Sequence, residues 1–243
     1  MARFSSLLLL CAGCDLLVGL DEDPTPCAPA SFEGAAAVTI TEADHFTVDW
    51  DQTFAVVSAR GLMWEVALPG GAPVAIDLGV YVDFALALAP EGTALFYTAA
   101  IEPPQLRGAL RTGDATWSLD ATTPRGTFAG TPSADAFGPR HVLVRLRPTD
   151  GDVVEYEDVD GVWTARGTHP VPGMLAPNLT PNGLVMVYAD GGVYAASRAS
   201  RDEWFGEPTL ILANANVVGQ PQLLGKCKNL YISDGTMLQR YDR

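Results

Sequence analysis

A turn followed by an apolar strand recurs along this chain and constrains its fold more than any other feature. Segment 89–97, APEGTALFY, and segment 180–188, TPNGLVMVY, share a turn that ends in glycine and then a run of apolar residues. The two glycines, Gly92 and Gly183, are separated by two units of about 45 residues. A chain with such a repeat is expected to stack copies of one supersecondary unit.

The spacing of the repeat predicts a β-propeller. Related turns at 51–52, 139–140 and 228–229 precede further apolar runs. Short runs rich in Val, Leu, Tyr and Phe, broken by Gly, Pro, Asp and Asn, are typical of strands joined by tight turns. Because a unit of about 45 residues has the length of one four-stranded blade, we predict an all-β propeller of about five four-stranded blades. Six blades or a β-sandwich are the alternatives.

The count of units also predicts how the ring closes. Five units begin near Asp44, Val82, Thr131, Pro172 and Val218. The fifth unit ends after three strands, which would leave an open sheet edge. A further strand at 38–41 precedes the first unit. We therefore predict that this N-terminal strand completes the last blade.

The last two units resemble a known repeat. Asp-Gly pairs at 190–191 and 234–235 are each followed by an apolar pair and then by an arginine, Arg198 or Arg243. Asp-Gly supplies the positive φ that tight hairpins require. The pattern resembles the WD40-like, TolB-type propeller repeat, most clearly over 172–243 and around 82–100. The resemblance implies a fold and no single function, because the same propeller hosts binding scaffolds, lyases and peptidase lids.

The first 14 residues resemble a bacterial lipoprotein signal peptide with its lipobox. Arg3 gives a short basic region, residues 7–10 are four leucines, and Ala-Gly precedes Cys14. The resemblance implies that Cys14 is lipidated and that the protein is anchored in the cell envelope, at the periplasmic face or the outer membrane. A secretory signal cut elsewhere and a buried N-terminal strand are the alternatives. The acidic, Pro-rich stretch 15–36 is expected to be a tether, and 37–243 the propeller domain.

The composition limits the partners of this domain. Hydrophobic residues make up 48% of the chain, enough for a folded core, and the net charge is −14. A surface this acidic repels phosphates, so we expect no nucleic-acid partner. The sequence contains no Gly-rich phosphate loop and no dinucleotide fingerprint, and we expect no cofactor.

The cysteines predict one disulfide. Cys27 and Cys227 are the cysteines that remain in the body of the chain once Cys14 is acylated. If the strand at 38–41 joins the last blade, both cysteines come to lie beside that blade. We therefore predict a Cys27–Cys227 bridge, which requires an oxidising envelope. The body of the chain after the signal region contains no Cys-x-x-Cys pair, so nothing there indicates a zinc or redox site.

Three aspartates are the candidates for catalysis. Asp49, Asp83 and Asp135 are predicted on the first strand of three successive units, the strand that lines the channel of a propeller. Paired carboxylates there could act as acid and base in glycoside hydrolysis. No family motif accompanies them, so a channel-sited glycoside hydrolase or lyase is the alternative hypothesis and not the favoured one.

A second acidic group could bind a metal. Asp150, Asp152 and Glu155 supply hard oxygen ligands of the kind that hold Ca²⁺. The spacing is not that of an EF-hand loop, and alternate residues of a strand face opposite sides. The favoured interpretation is a solvated acidic hairpin without a metal.

Taken as a whole, the sequence favours a non-catalytic binding scaffold for a protein or glycan, held at the membrane by its N-terminal lipid. A purely structural envelope protein is a third hypothesis. Aromatic side chains on a rim could stack on sugars or peptides, although packing between blades is the favoured role of the tryptophans. These occur about once per unit, as Trp50, Trp64, Trp117, Trp163 and Trp204.

Overall fold

Twenty strands in five four-stranded sheets make up the described part of the chain. The computed structural model describes residues 30–41, 43–89, 92–101, 105–121, 132–134, 141–145, 153–159, 162–169, 175–224 and 226–243. Within these residues no helix is long and apolar enough to cross a membrane.

The strands follow one another along the chain without other regular elements in the described residues. Their bounds are β1 Ala35–Thr41, β2 His45–Val48, β3 Phe54–Ala59, β4 Leu62–Ala67, β5 Val74–Ile76, β6 Val82–Leu88, β7 Ala94–Ala99, β8 Gln105–Gly113, β9 Thr116–Asp120, β10 Pro132–Ala134, β11 His141–Arg145, β12 Val153–Val159, β13 Val162–His169, β14 Leu175–Leu179, β15 Val185–Ala189, β16 Gly192–Ser197, β17 Thr209–Ala213, β18 Val218–Leu224, β19 Asn229–Ser233 and β20 Met237–Asp242.

The sheets form a closed β-propeller, which confirms the predicted fold class. Blades 1 to 4 are the antiparallel sheets β2–β5, β6–β9, β10–β13 and β14–β17, and blade 5 is β18–β20 with β1 at its outer edge. The first strand of each blade packs against the first strand of the next, and β18 of blade 5 packs against β2 of blade 1. The first strands begin within three residues of the unit starts predicted from the sequence.

Blade 5 is completed by the N-terminal strand, as predicted. Strand β1 pairs antiparallel with β20, from Ala35 opposite Tyr241 to Thr41 opposite Met237. The strand starts three residues before position 38, and the chain before it is also held in place. The Phe32 N–H donates to the carbonyl oxygen of Ile211 at 2.8 Å, and its ring is buried in the apolar cluster between blades 4 and 5.

The second strands form the core of the blades. Every residue of β3, β7 and β15 is buried. A strand that is covered on both faces reads as a continuous apolar run instead of an alternation. This explains why the apolar runs stood out in the sequence. The apolar clusters lie between neighbouring blades, so burial holds the ring together.

The repeated sequence turn connects the first and second strands. In three blades the residue after the first strand donates its N–H across the turn, and the residue three positions later has positive φ. The bonds are Asp49 to Phe54 at 3.1 Å, Ala89 to Ala94 at 2.7 Å and Thr180 to Val185 at 2.8 Å, with φ of 57° at Gln52, 70° at Gly92 and 67° at Gly183. Glycine recurs here because it adopts positive φ without steric cost.

Side chains of the inner strands join neighbouring blades. The Gln222 amide of β18 donates to the Val48 carbonyl at 2.9 Å and accepts the Val48 N–H at 2.7 Å. The Thr47 hydroxyl of β2 accepts the Leu88 N–H of β6 at 3.0 Å. Across the ring, Cα atoms of β18 and β6 approach within 8 Å. The ring is therefore narrow at this point, and these polar side chains hold the blades together.

An arginine at the end of the third strand is repeated in blades 2, 4 and 5. Arg111, Arg198 and Arg243 each donate their backbone N–H to the residue just before the second strand of the same blade, at 2.8, 2.9 and 2.9 Å. Their guanidinium groups lie over the rings of Phe54, Phe205 and Phe32, at 4.5, 4.6 and 5.5 Å from the centroids. The Arg198–Arg243 correspondence seen in the sequence is thus a repeated packing contact.

Candidate functional site

A pocket of about 560 Å³ opens on the face of the ring where the first strands begin. This volume falls in the range of small-molecule sites, about 300–1,000 Å³. Three blades contribute to it, because its walls come from the starts of β2 and β18, the β3–β4 turn and the segments that flank β6 and β7. The lining residues are Asp44, His45, Ser58, Arg60, Gly61, Tyr81, Ala100 and Val218.

The β3–β4 turn forms one wall of the pocket. Arg60 and Gly61 both have positive φ, 52° and 82°. The Arg60 N–H donates to Oδ2 of Asp44 at 3.1 Å, and the Asp44 N–H donates to the Ser58 carbonyl at 2.9 Å. The turn is therefore fixed to the start of β2, which sets the position of the Asp44 carboxylate at the pocket.

Tyr81 forms an exposed aromatic wall. The residue is 64% exposed. A Cβ added to Gly61 would lie 2.9 Å from Cδ1 of the ring, so the ring packs directly on the glycine backbone. The Ala100 N–H donates to the Tyr81 carbonyl at 2.7 Å. The Tyr81 ring is thus held against the β3–β4 turn, and the backbone of Tyr81 is hydrogen-bonded to Ala100.

Close approach of blades 5 and 1 closes the pocket on another side. Gly219 has φ of 81°, and a Cβ there would lie 2.8 Å from the Asp44 carbonyl oxygen and 3.2 Å from Nδ1 of His45. Only glycine fits at this position without moving the start of β2. Glycine at 219 therefore permits Asp44 and His45 to face the pocket beside Val218.

The structure places Asp49 in a turn instead of on the first strand, which corrects that part of the sequence prediction. Asp49 follows β2, at the opposite end of the strand from the pocket. Oδ1 accepts the N–H groups of Thr53 and Phe54 at 2.8 and 2.7 Å, and Oδ2 accepts the Thr53 hydroxyl at 2.9 Å. In the equivalent turn of blade 4, the Thr180 hydroxyl accepts the Val185 N–H at 3.0 Å. Asp49 thus has a structural role in the turn.

Burial raises the pKa of Asp49 above its usual value, and the hydrogen bonds from Phe54 and Thr53 oppose that rise. The described residues show no contact between this carboxylate and the other two channel candidates. Asp83 is the second residue of β6, and Asp135 lies outside the described residues.

Glu155 is buried, which corrects the prediction of a solvated acidic hairpin at this residue. It lies on β12, is 4% exposed and faces Arg198 of the next blade at 3.4 Å. Because the arginine neutralises the carboxylate, its burial is tolerated. Asp150 and Asp152 lie outside the described residues. Among the residues that are described, no group of three His, Cys, Asp or Glu side chains is arranged to hold a metal ion.

A third buried carboxylate, Glu65 on β4, was not singled out in the sequence. Its Oε1 accepts Nη2 of Arg111 at 2.6 Å and the Ala115 N–H at 3.2 Å, and its Oε2 accepts Nε of Arg111 at 3.1 Å and Nε1 of Trp117 at 3.0 Å. Glu65 and Glu155 occupy third strands and each reaches the third-strand arginine of the following blade. Both therefore join neighbouring blades.

Of the three cysteines with predicted roles, the structure describes Cys227. Cys227 is 2% exposed, belongs to the same apolar cluster as Phe32, and is disulfide-bonded. Cys14 and Cys27 lie outside the described residues, so the lipidation and the Cys27–Cys227 pairing stay predictions. The position of Phe32 brings the chain five residues after Cys27 to the surroundings of Cys227.

Sequence reasoning missed the pocket. Asp44, Arg60, Tyr81 and Val218 come together only because three blades converge, and no local pattern marks them as neighbours. The signals that were available are modest: Arg60-Gly61 stands between two apolar strands as a hairpin turn, and an aromatic residue directly precedes β6.

Comparison with known proteins gives similarity in structure alone. No protein-family model matches the sequence, and no curated protein resembles it significantly. TolB from Acinetobacter baumannii is similar with a TM-score of 0.52 and 11% identity, over 82% of this chain and 54% of that chain. A protein described as TolB from Agrobacterium tumefaciens gives 0.50 and 14%, over 84% and 77%.

An enzyme is among the similar structures as well. A gluconolactonase from Xanthomonas campestris gives a TM-score of 0.54 and 15% identity, over 81% of this chain and 70% of that chain. At such identities a likeness establishes architecture and leaves function open. This chain is a β-propeller whose structural neighbours include TolB proteins.

Proposed function

We propose that this protein is a lipid-anchored β-propeller of the bacterial cell envelope that binds a protein or glycan partner and catalyses no reaction. The binding site is the pocket at the start of β2. The observation that carries the proposal is the convergence of three blades on this pocket, with an exposed aromatic ring and polar groups on its walls. A concave site with a few convergent polar groups is the usual form of a ligand site.

The described carboxylates support a non-catalytic role, because the pocket lining holds one carboxylate, Asp44, and not the pair that glycoside hydrolysis needs. Among the described residues, the buried acidic side chains are those of Asp49, Glu65 and Glu155. Asp49 holds a turn, and the two glutamates form ion pairs between blades. A general acid or base needs a group that is open to substrate. Each of these three carboxylates is hydrogen-bonded or ion-paired within the fold, and none of the three residues lines the pocket.

The lipid anchor would leave the pocket free to reach a partner. From Cys14 to Phe32, the first residue with a described contact to the ring, the chain spans 18 residues. Fully extended, such a segment reaches roughly 60 Å. More than one acyl chain on Cys14 would give stable membrane attachment, whereas one chain is marginal.

Three measurements test this proposal. Full-length protein should fractionate with membranes, and Cys14→Ala should release it or leave it unprocessed; an unchanged membrane fraction would contradict the anchor.

Purified protein should capture a partner from envelope extracts, and Asp44→Ala together with Tyr81→Ala should abolish capture. Leu119→Ala is the matched control, because Leu119 is 52% exposed on the outer strand of blade 2 and is not among the residues that line the pocket. Turnover of a polysaccharide or lactone by the wild-type protein would overturn the non-catalytic assignment.

A further inference from the structure

We infer that the pocket binds an uncharged sugar residue of a glycan, with one face of the sugar ring stacked on Tyr81. This inference rests on the proposed function and names the ligand class of the same site. Three observations carry it: the support behind the tyrosine ring, the kinds of polar group beside it, and the balance of charge around the pocket.

The tyrosine is placed as a platform. An aromatic residue that is 64% exposed leaves a large apolar surface in water. Most exposed side chains of this kind are mobile, but the Tyr81 ring lies against the backbone of Gly61. Since Gly61 has φ of 82° and no side chain, the Tyr81 ring can approach its backbone closely. A rigid aromatic face matches the apolar C–H face of a pyranose.

The polar groups of the pocket suit hydroxyl groups. Oδ2 of Asp44 accepts the Arg60 N–H, which fixes the carboxylate in place. A carboxylate has about four lone-pair sites, so Asp44 retains acceptor capacity toward the cavity. The Ser58 and His45 side chains add groups that both donate and accept. Neighbouring hydroxyl groups of a sugar can donate hydrogen bonds to these side chains and accept hydrogen bonds from them.

The charges select a neutral ligand. Asp44 and Arg60 place opposite charges on the same pocket. An anionic sugar would meet the Asp44 carboxylate and a chain of net charge −14. For a cationic ligand, the attraction of Asp44 is offset by repulsion from Arg60, which lines the same pocket. A neutral sugar meets neither repulsion, and the volume of about 560 Å³ can hold a sugar ring with part of its neighbour.

The experiment is a titration of the full chain with hexasaccharides. Neutral β-glucan, α-glucan and chitin hexamers are compared with a hexamer of galacturonic acid by isothermal titration calorimetry. We expect at least one neutral hexamer to bind and the anionic one to bind about tenfold more weakly or not at all. Tyr81→Ala should weaken binding by about tenfold or more, and Tyr81→Phe by about threefold or less, because the stacking face is retained. Leu119→Ala should bind as wild type.

Failure of the inference can be told apart from failure of the proposed function. Tyr81 is exposed, so its variants are expected to keep the wild-type melting temperature. Equal affinity of wild type and Tyr81→Ala for every hexamer, or preferential binding of the galacturonic acid hexamer, overturns the inference. Capture of an envelope protein that depends on Asp44 and Tyr81 without affinity for any neutral hexamer also overturns it, while leaving the proposed binding function intact.

Discussion

Replacement of Glu65 by alanine is expected to destabilise the ring by about 3 kcal/mol. Glu65 is 7% exposed, and its carboxylate accepts hydrogen bonds from Arg111, Ala115 and Trp117. Its removal leaves the Trp117 indole N–H and the guanidinium of Arg111 without their partner. Breaking a buried pair by removing one member costs about 3–5 kcal/mol. The lower end applies because the Arg111 side chain keeps 24% exposure and can be hydrated from that side.

Urea unfolding of the purified propeller measures this change. With an m value near 3 kcal/mol/M, a loss of about 3 kcal/mol lowers the midpoint by about 1 M. Arg111→Ala and the double variant complete a thermodynamic cycle, for which we expect a coupling free energy of about 2 kcal/mol, in the range for contacting residues. Asp114→Ala is the control, because Asp114 lies 3.6 Å from Arg111 but its carboxylate is fully exposed, and no measurable change is expected.

Two results would refute the reasoning. If Glu65→Ala costs less than about 1 kcal/mol, the carboxylate does not hold a buried network. If the single changes are additive in the double variant, Glu65 and Arg111 do not act as a pair. If the Glu65→Gln variant has the same urea midpoint as the wild type, the negative charge is dispensable and hydrogen bonding alone joins the blades.

Three further predictions concern the ends of the chain and its first turn. Cys27→Ser and Cys227→Ser should lower the free energy of unfolding by the same amount, up to about 5 kcal/mol for so long a loop. Mass spectrometry that finds both thiols free in protein purified from the envelope would exclude the bridge. Deletion through Thr41 should lower the melting temperature of the whole domain, whereas deletion of residues 15–25 should not; equal melting would contradict closure by β1. Because burial raises the pKa of Asp49, the native state binds more protons than the unfolded state between the usual pKa of 3.8 and the raised value. The contribution of Asp49 to stability should therefore fall as pH rises through that window, and Asp49→Asn should remove this contribution from the pH dependence of unfolding measured there; identical slopes for the variant and the wild type would show that Asp49 does not titrate in it.

The fold could be predicted because its determinants are local. The glycine turns at Gly92 and Gly183 sit between a first strand and a wholly buried second strand, so each repeat carries both its turn conformation and its burial in a few adjacent residues. The missing fourth strand of blade 5 could likewise be deduced by counting. Strand β1 then pairs with β20 in the structure.

The site could not be predicted, because its residues are distant in sequence. Glu155 looked like a solvated acid since its partner, Arg198, is 43 positions away. Asp49 looked like a channel residue because it directly follows β2 and no sequence signal marks the end of that strand. Tyr81 and Asp44 carry no pattern of their own, and only the convergence of blades 1, 2 and 5 makes them neighbours.

The pairing of β1 with β20 also sets an order in time. Strand β1 is the first of the described strands along the chain and its partner β20 is the last, so blade 5 cannot close until all the strands between them have been synthesised. Contacts this far apart in sequence form slowly, because the loop between them must be closed first. Until then β1 and β20 both present unpaired edges, which are prone to association with other chains. The step that closes the ring is therefore the one at which folding of this protein is most exposed to failure.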